Sequence, residues 1–376
     1  MKFGVEEKLL WPAFLIGVLA LFLSVPTAHG QGGVKDMPPP PPLWKPKPTP
    51  TPKPEPEVID VIKTTSNLVM VPVSVTDQTG NAVQGLKVAD FRLLEEGKQQ
   101  EITGIGDPAQ VPLAIALLFD VSSSTRQKAF FELQQNAAAT FLKLVMKPTD
   151  RAAIFTITRE PTMVQPLASA ETSAAKMLSI QPAASTGVPT AFYDTVTAAA
   201  KYLTDNAPSN FRRVIVVLSD GDDNNSEQIR GQAIADYRDT DAGKQEALGT
   251  RAGLLNAHRR AVAQVQKTVQ QADAIFYAVN PGGPSIKLNQ ISMRAEQGME
   301  AIAETTGGTA FVPESDQDLE RVFRQVAAEL RGQYLIQYYG DSSAPAGQFR
   351  KISVAVPARA DVRVRARQGY YPKKQD

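Results

Sequence analysis

Two hydrophobic periods alternate along this chain, and their order sets the expected fold. From Leu113 onward, short unbroken apolar runs recur: Leu113–Phe119, Ala152–Ile157, Val214–Leu218 and Ala274–Val279. Runs of this length without polar alternation read as strands covered on both faces, which is the signature of a parallel sheet. Segments of helical spacing separate them. Phe130, Leu133, Ala137, Phe141 and Leu144 are placed on one stripe, and a helix is expected over Ala191–Leu203. Another runs around Met293–Thr305 and closes at Gly307-Gly308, and the last carries Leu319, Val322, Phe323, Val326 and Leu330 behind a Ser315 N-cap. A polar, helical insertion is read from about Ser226 to Gln271, with His258 expected on its surface.

The flanks follow a different period. Leu68–Thr76 reads as a strand whose Pro72 predicts an edge position. Turn chemistry follows at Asp77-Gln78-Thr79-Gly80-Asn81, then two short strands flank Glu96-Gly97-Lys98. After Gly332 the chain returns to strands at Tyr334–Tyr338, Arg350–Val356 and Val362–Arg367. The predicted fold class is α/β: a doubly wound, mostly parallel sheet inserted in, or flanked by, a small β-sandwich-like domain of N- and C-terminal strands. Expected boundaries are 58–108 and 333–376 for the two β regions and 109–332 for the α/β domain. No internal repeat is seen.

Composition adds an address. Lys2 and Lys8, an apolar run from Leu9 to Val25 and Ala28-His29-Gly30 form the pattern of a secretory signal over residues 1–30, with cleavage expected after Gly30. Left uncut, the same run would tether the chain to a membrane. Residues 31–57 are proline-rich, a composition that adopts extended polyproline II and acts as a stiff spacer. The folded part is therefore expected outside the cytoplasm, periplasmic or secreted.

Charge and cysteine usage exclude several functions. With 40 Lys+Arg against 39 Asp+Glu, the chain lacks the basic excess of a nucleic-acid binder. Arg359, Arg363, Arg365 and Arg367 are read as the solvated face of an edge strand. The absence of cysteine removes disulfides, thiolate metal sites and lipidated-Cys anchors. Two histidines, one of them in the leader, argue against a zinc hydrolase.

The chemistry that remains is built from oxygen. Asp120-Val121-Ser122-Ser123-Ser124 follows one predicted strand, Ser219-Asp220-Gly221 follows another, and Thr190 precedes a helix. Loops at the carboxyl ends of strands are where open α/β sheets bind ligands. Two carboxylates with three hydroxyls suit a hard divalent cation, Mg²⁺ or else Mn²⁺ or Ca²⁺. The candidate metal residues are Asp120, Ser122, Ser124, Thr190 and Asp220. Asp222 and Asp223 are read as a solvated loop, and Asp194 as serving the first turn of its own helix.

This order of elements resembles the metal-ion-dependent adhesion site of von Willebrand factor A domains, over roughly Leu113 to Arg331. The flanking strands are similar to those of an exported bacterial group of such proteins. The resemblance implies direct coordination by Ser122 and Ser124, by Thr190 in the ligand-competent state, and direct or water-mediated binding by Asp120 and Asp220. It also implies a cation left underneutralised, whose shell is completed by an acidic side chain of a protein partner. Ser123 stands where the family usually has Gly, and Pro189 stiffens the loop before Thr190.

Two enzyme readings are weaker. An aspartyl phosphohydrolase would use Asp120 as nucleophile and Asp220 for Mg²⁺, but Ser122 stands where the second carboxylate is needed. A serine hydrolase lacks its G-x-S-x-G context. The chain is thus expected to be a non-enzymatic, metal-dependent binding module; the alternative is a metal-stabilised envelope component that captures nothing.

Overall fold

The computed structural model describes residues 68–121, 128–184, 188–229, 251–283, 290–315, 318–341 and 345–372. The expected leader and the proline-rich segment lie outside the described residues, as do Ser122, Ser124 and residues 230–250 of the expected insertion.

The central sheet has six strands: β5 (Leu113–Asp120), β6 (Arg151–Ile157), β7 (Thr162–Ala168), β8 (Arg212–Leu218), β9 (Ala274–Val279) and β10 (Ala310–Phe311). They lie in the order β10-β9-β8-β5-β6-β7, parallel except for β7, which runs antiparallel at one edge. The chain thus winds outward in one direction from β5 and then in the other from β8, so the reversal falls between these two neighbours.

Every residue of β5 is buried, because the strand is covered on both faces. Leu113, Ile115, Leu117 and Phe119 pack with α1 (Lys128–Val145), α2 (Ala170–Ser179) and α6 (Asp318–Gly332). Ala114, Ala116 and Leu118 pack on the other side with α3 (Phe192–Asn206), α4 (Arg251–Gln271) and α5 (Gln290–Thr306). Strand alternation alone therefore divides one apolar run between two cores. Helix α5 stops where Gly307, at φ 83°, turns the chain and the Gly308 amide reaches back to the Ala303 carbonyl at 3.0 Å.

Three expectations about the helices need correction. On α1 the buried face carries Phe131, Ala138, Phe141, Leu142 and Val145, while Leu133 and Leu144 are exposed. The face is rotated because Gln135 turns inward and donates to the Met177 and Ile180 carbonyls at the end of α2. Within the described part of the expected polar insertion, helix α4 has a core face: Ala257, Ala261, Val265 and Val269 are buried against the sheet. His258 is buried with them, on the same helix.

The remaining strands build two four-stranded sheets. One is β13-β1-β11-β4, from β1 (Leu68–Thr76), β4 (Ile102–Gly106), β11 (Tyr334–Tyr339) and β13 (Arg363–Ala366). The other is β14-β12-β2-β3, from β2 (Arg92–Glu95), β3 (Lys98–Gln100), β12 (Arg350–Ala355) and β14 (Gly369–Tyr370). Val71, Val73 and Val75 of β1 meet Leu93 and Ile352 of the second sheet in a shared core, as sandwich packing requires. Each sheet mixes N- and C-terminal strands.

Pro72 does not mark an edge strand, since β1 lies between β11 and β13. The proline signal is nonetheless right locally. β11 pairs along Leu68–Val73, whereas β13 pairs only from Val73 to Thr76. Pro72 therefore sits where one side of β1 has no strand partner among the described residues.

Arg365 and Arg367 are not solvated either. Arg365 pairs with Glu329 of α6 and Arg367 with Asp273 at the start of β9, with side chains 16% and 11% exposed. A second tie is the buried Gln333, which accepts from Arg212 and donates to Ser74 and Tyr277. None of the described helices is long and apolar enough to cross a membrane.

Candidate metal centre at the strand crossover

Asp120 ends β5 and Asp220 follows β8, so both carboxylates stand at the carboxyl ends of the two strands between which the winding reverses. Doubly wound sheets open a crevice at that reversal, because the loops on either side leave in opposite directions. Ser219 joins the two: its hydroxyl donates to Asp120 Oδ2 at 2.6 Å and accepts from the Gly221 amide at 3.0 Å. Asp120 is 1% exposed, Ser219 is buried and Asp220 is half-buried.

Thr190 is brought to the same end by the loop that carries Asp220. Its amide donates to Asn224 Oδ1 at 2.8 Å, and its carbonyl accepts from the Asn224 and Asn225 amides. The next residue, Ala191, donates to the Thr158 carbonyl after β6. Asp120, Thr190 and Asp220 are therefore held by one hydrogen-bonded set of loops. Ser122 and Ser124 fall outside the described residues, two and four positions beyond Asp120.

Two aspartates that the sequence placed in other roles, Asp223 and Asp194, hold this frame. Asp223 is buried, not solvated: Oδ2 accepts from the Tyr193 amide at 2.8 Å and from the Ser226 hydroxyl, capping the first turn of α3. Asp194 serves a different turn from the one expected. Its carboxylate accepts from the Glu227 and Gln228 amides and so caps the segment after the loop. The contacts to Tyr193, Glu227 and Gln228 cross 30 to 34 positions, and no local spacing announces them.

Helix α5 supports the loop from below. Gly221 has φ 75°, and a Cβ there would lie 2.8 Å from Met299 Cε. One and a half turns earlier, Arg294 supplies a positive charge to the acidic loop. Burial pushes the Asp222 carboxyl up to about 6; Asp220 adds repulsion and Arg294 opposes it. Asp222 Oδ1 and Arg294 Nε are both buried without a hydrogen-bond partner among the described residues. His258 packs edge-on against Tyr193, with ring centroids 6.0 Å apart. Burial, and then Arg294, lower its imidazole to about 4.

The donor set suits a hard cation. Among the described residues no three His, Asp or Glu side chains gather as a metal-binding group. With Asp120 and Asp220 the described residues bring two carboxylates to this end of the sheet, a donor type that hard cations take.

Residues 115–222 match the family described as the von Willebrand factor type A domain, from β5 through the loop after β8. No curated protein matches the chain. Among solved structures, a von Willebrand factor type A protein from Catenulispora acidiphila is 11% identical, with 83% of this chain and 76% of that one covered, at a TM-score of 0.40. Proximal thread matrix protein 1 of the mussel byssus, with a zinc-occupied MIDAS motif, is 15% identical over 62% of this chain, at a TM-score of 0.41. This chain spans about half of that protein's length, 49%. An aerotolerance-related membrane protein of Bacteroides fragilis is 13% identical, over 57% of this chain and 98% of that one, at 0.37.

Proposed function

We infer that this protein is an exported, non-enzymatic binding module that holds a divalent cation, Mg²⁺ by preference of donor type, and through it captures an acidic group of a protein partner. The observation that carries this reading is the placement of Asp120 and Asp220 at the strand crossover, tied through Ser219. Asp120, Asp220, Thr190, Ser122 and Ser124 would hold the ion. The ion would supply a Lewis-acidic position for a carboxylate. Neutral hydroxyls in place of further carboxylates leave its charge incompletely balanced, which favours an anionic partner. Partner and metal would then raise each other's affinity by the same factor. The leader and proline-rich spacer support delivery outside the cytoplasm.

Calorimetric titration of the chain with Mg²⁺, Mn²⁺ and Ca²⁺ tests this, beside Asp120→Ala and Asp220→Ala. Binding that weakens at least tenfold in both variants, with folding intact by circular dichroism, is the expected result. Undiminished binding in either variant would remove the site. The burial of Asp120 favours one alternative, a metal that only stabilises the loops. In that case metal raises the melting temperature and leaves capture of carboxylate peptides unchanged.

A further inference from the structure

At the other end of the central sheet, the open side of β1 borders a cavity of about 450 Å³. The amino ends of β8 and β9 form its floor at Arg212, Arg213 and Asp273, so a strand length, roughly 20 Å, separates it from Asp220. Leu68, Met70, Phe211, Ile275 and Tyr371 supply apolar wall. A volume of this order is that of a ligand pocket.

Two observations say what it takes. The first is the backbone. Between Leu68 and Pro72 no strand pairs with this side of β1 among the described residues, because β13 leaves the edge at Ala366. Arg367 partly replaces it, donating to the Met70 carbonyl at 2.8 Å. An edge of this kind is a template for an added strand. Pro72 and β13 limit its extent at one end, which restricts the addition to a short segment.

The second is charge. Three guanidinium groups line the cavity against one carboxylate, Asp273. Arg367 is paired with that carboxylate and stacked 5.5 Å over the Tyr370 ring. Arg213 is held by the carbonyls of Leu203, Ala207 and Ala272, and Arg212 by those of Leu330 and Pro108 with Gln333. Carbonyl partners take the N–H groups of Arg213, and among the described residues no carboxylate pairs with it, whereas the charge of Asp150 acts on Arg212. Apolar walls beside such a field suit a strand that alternates apolar and acidic side chains.

We propose that this cavity is a second binding site, which takes an extended acidic peptide segment of a partner as a strand added to the Leu68–Pro72 edge of β1. It is independent of the metal centre. Fluorescence anisotropy on the whole chain, in EDTA so that the metal centre captures no carboxylate, compares labelled hexapeptides of alternating Val and Glu with alternating Val and Lys. A third probe is the Val/Glu peptide N-methylated at alternate amides. Saturable binding of the Val/Glu peptide, at least tenfold weaker for the other two, is expected. The exposed Leu68→Glu should weaken it by a similar factor, with near-ultraviolet dichroism retained. Equal affinity for the Lys peptide, indifference to N-methylation, or no binding at millimolar peptide overturns the proposal. So does self-association in sedimentation that Leu68→Glu abolishes, which would give the edge to a second copy.

Discussion

A single imidazole shows how tertiary contacts set chemistry that sequence spacing does not. His258 is lowered to about 4 by burial and by Arg294, so the folded protein keeps it neutral while an unfolded chain protonates it near 6.5. Its contribution is intact above pH 6.5 and is lost as pH falls towards 4. Asp222, raised to about 6, acts in the opposite sense: its contribution is present at low pH and is lost as pH rises through 6. The two oppose each other between pH 4 and 6 and flatten the profile. In His258→Phe the rising arm disappears. Urea unfolding at pH 4, 5, 6 and 7 should then show the wild type losing roughly 1–2 kcal/mol relative to the variant on acidification, solvent screening reducing the full linkage value. A difference that does not change with pH would mean the imidazole is not held neutral. Asp120 and Asp220 were legible in the sequence because each ends an apolar run. His258, Asn224 and Arg294 were not, since their partners come from other helices and loops.

Helix α5 is the element on which the candidate centre rests, through Met299 beneath Gly221. Gly221→Ala combines a left-handed backbone with a methyl group driven into Met299. A loss of about 1–3 kcal/mol is expected, together with weaker metal binding, because Asp220 moves with the loop. Adding Met299→Ala removes the clash and leaves the backbone strain. A double-mutant cycle in urea should therefore show coupling, and strict additivity would place the two apart. The strands were read closely from their unbroken apolar runs. The face of α1 was misjudged because Gln135 is buried by its bonds to two carbonyls, a use of a polar side chain that hydrophobic periodicity ranks as exposed. In α4, Ala257, Ala261, Val265 and Val269 repeat every fourth position, but the intervening arginines and glutamines outweighed them.

Across the whole molecule, the buried Gln333 joins strands β1, β8 and β9 at the point where α6 passes into β11. Gln333→Leu strands a buried Arg212 N–H and breaks the tie between sandwich and α/β domain. A cost of about 2–4 kcal/mol is expected, with urea unfolding split into two transitions where the wild type shows one. A single transition in the variant would assign the coupling to the Arg365–Glu329 and Arg367–Asp273 pairs instead. The mixing of N- and C-terminal strands also governs how the chain is made. Gln333 and Ser74 lie 259 residues apart, so at the ordinary pace of synthesis β1 waits on the order of ten to fifty seconds for its neighbours. Throughout that interval its valine stripe has no sheet to join. The α/β domain, complete within one contiguous stretch, can condense without waiting for the chain's ends, and its surface is then a wall for the sandwich to close against.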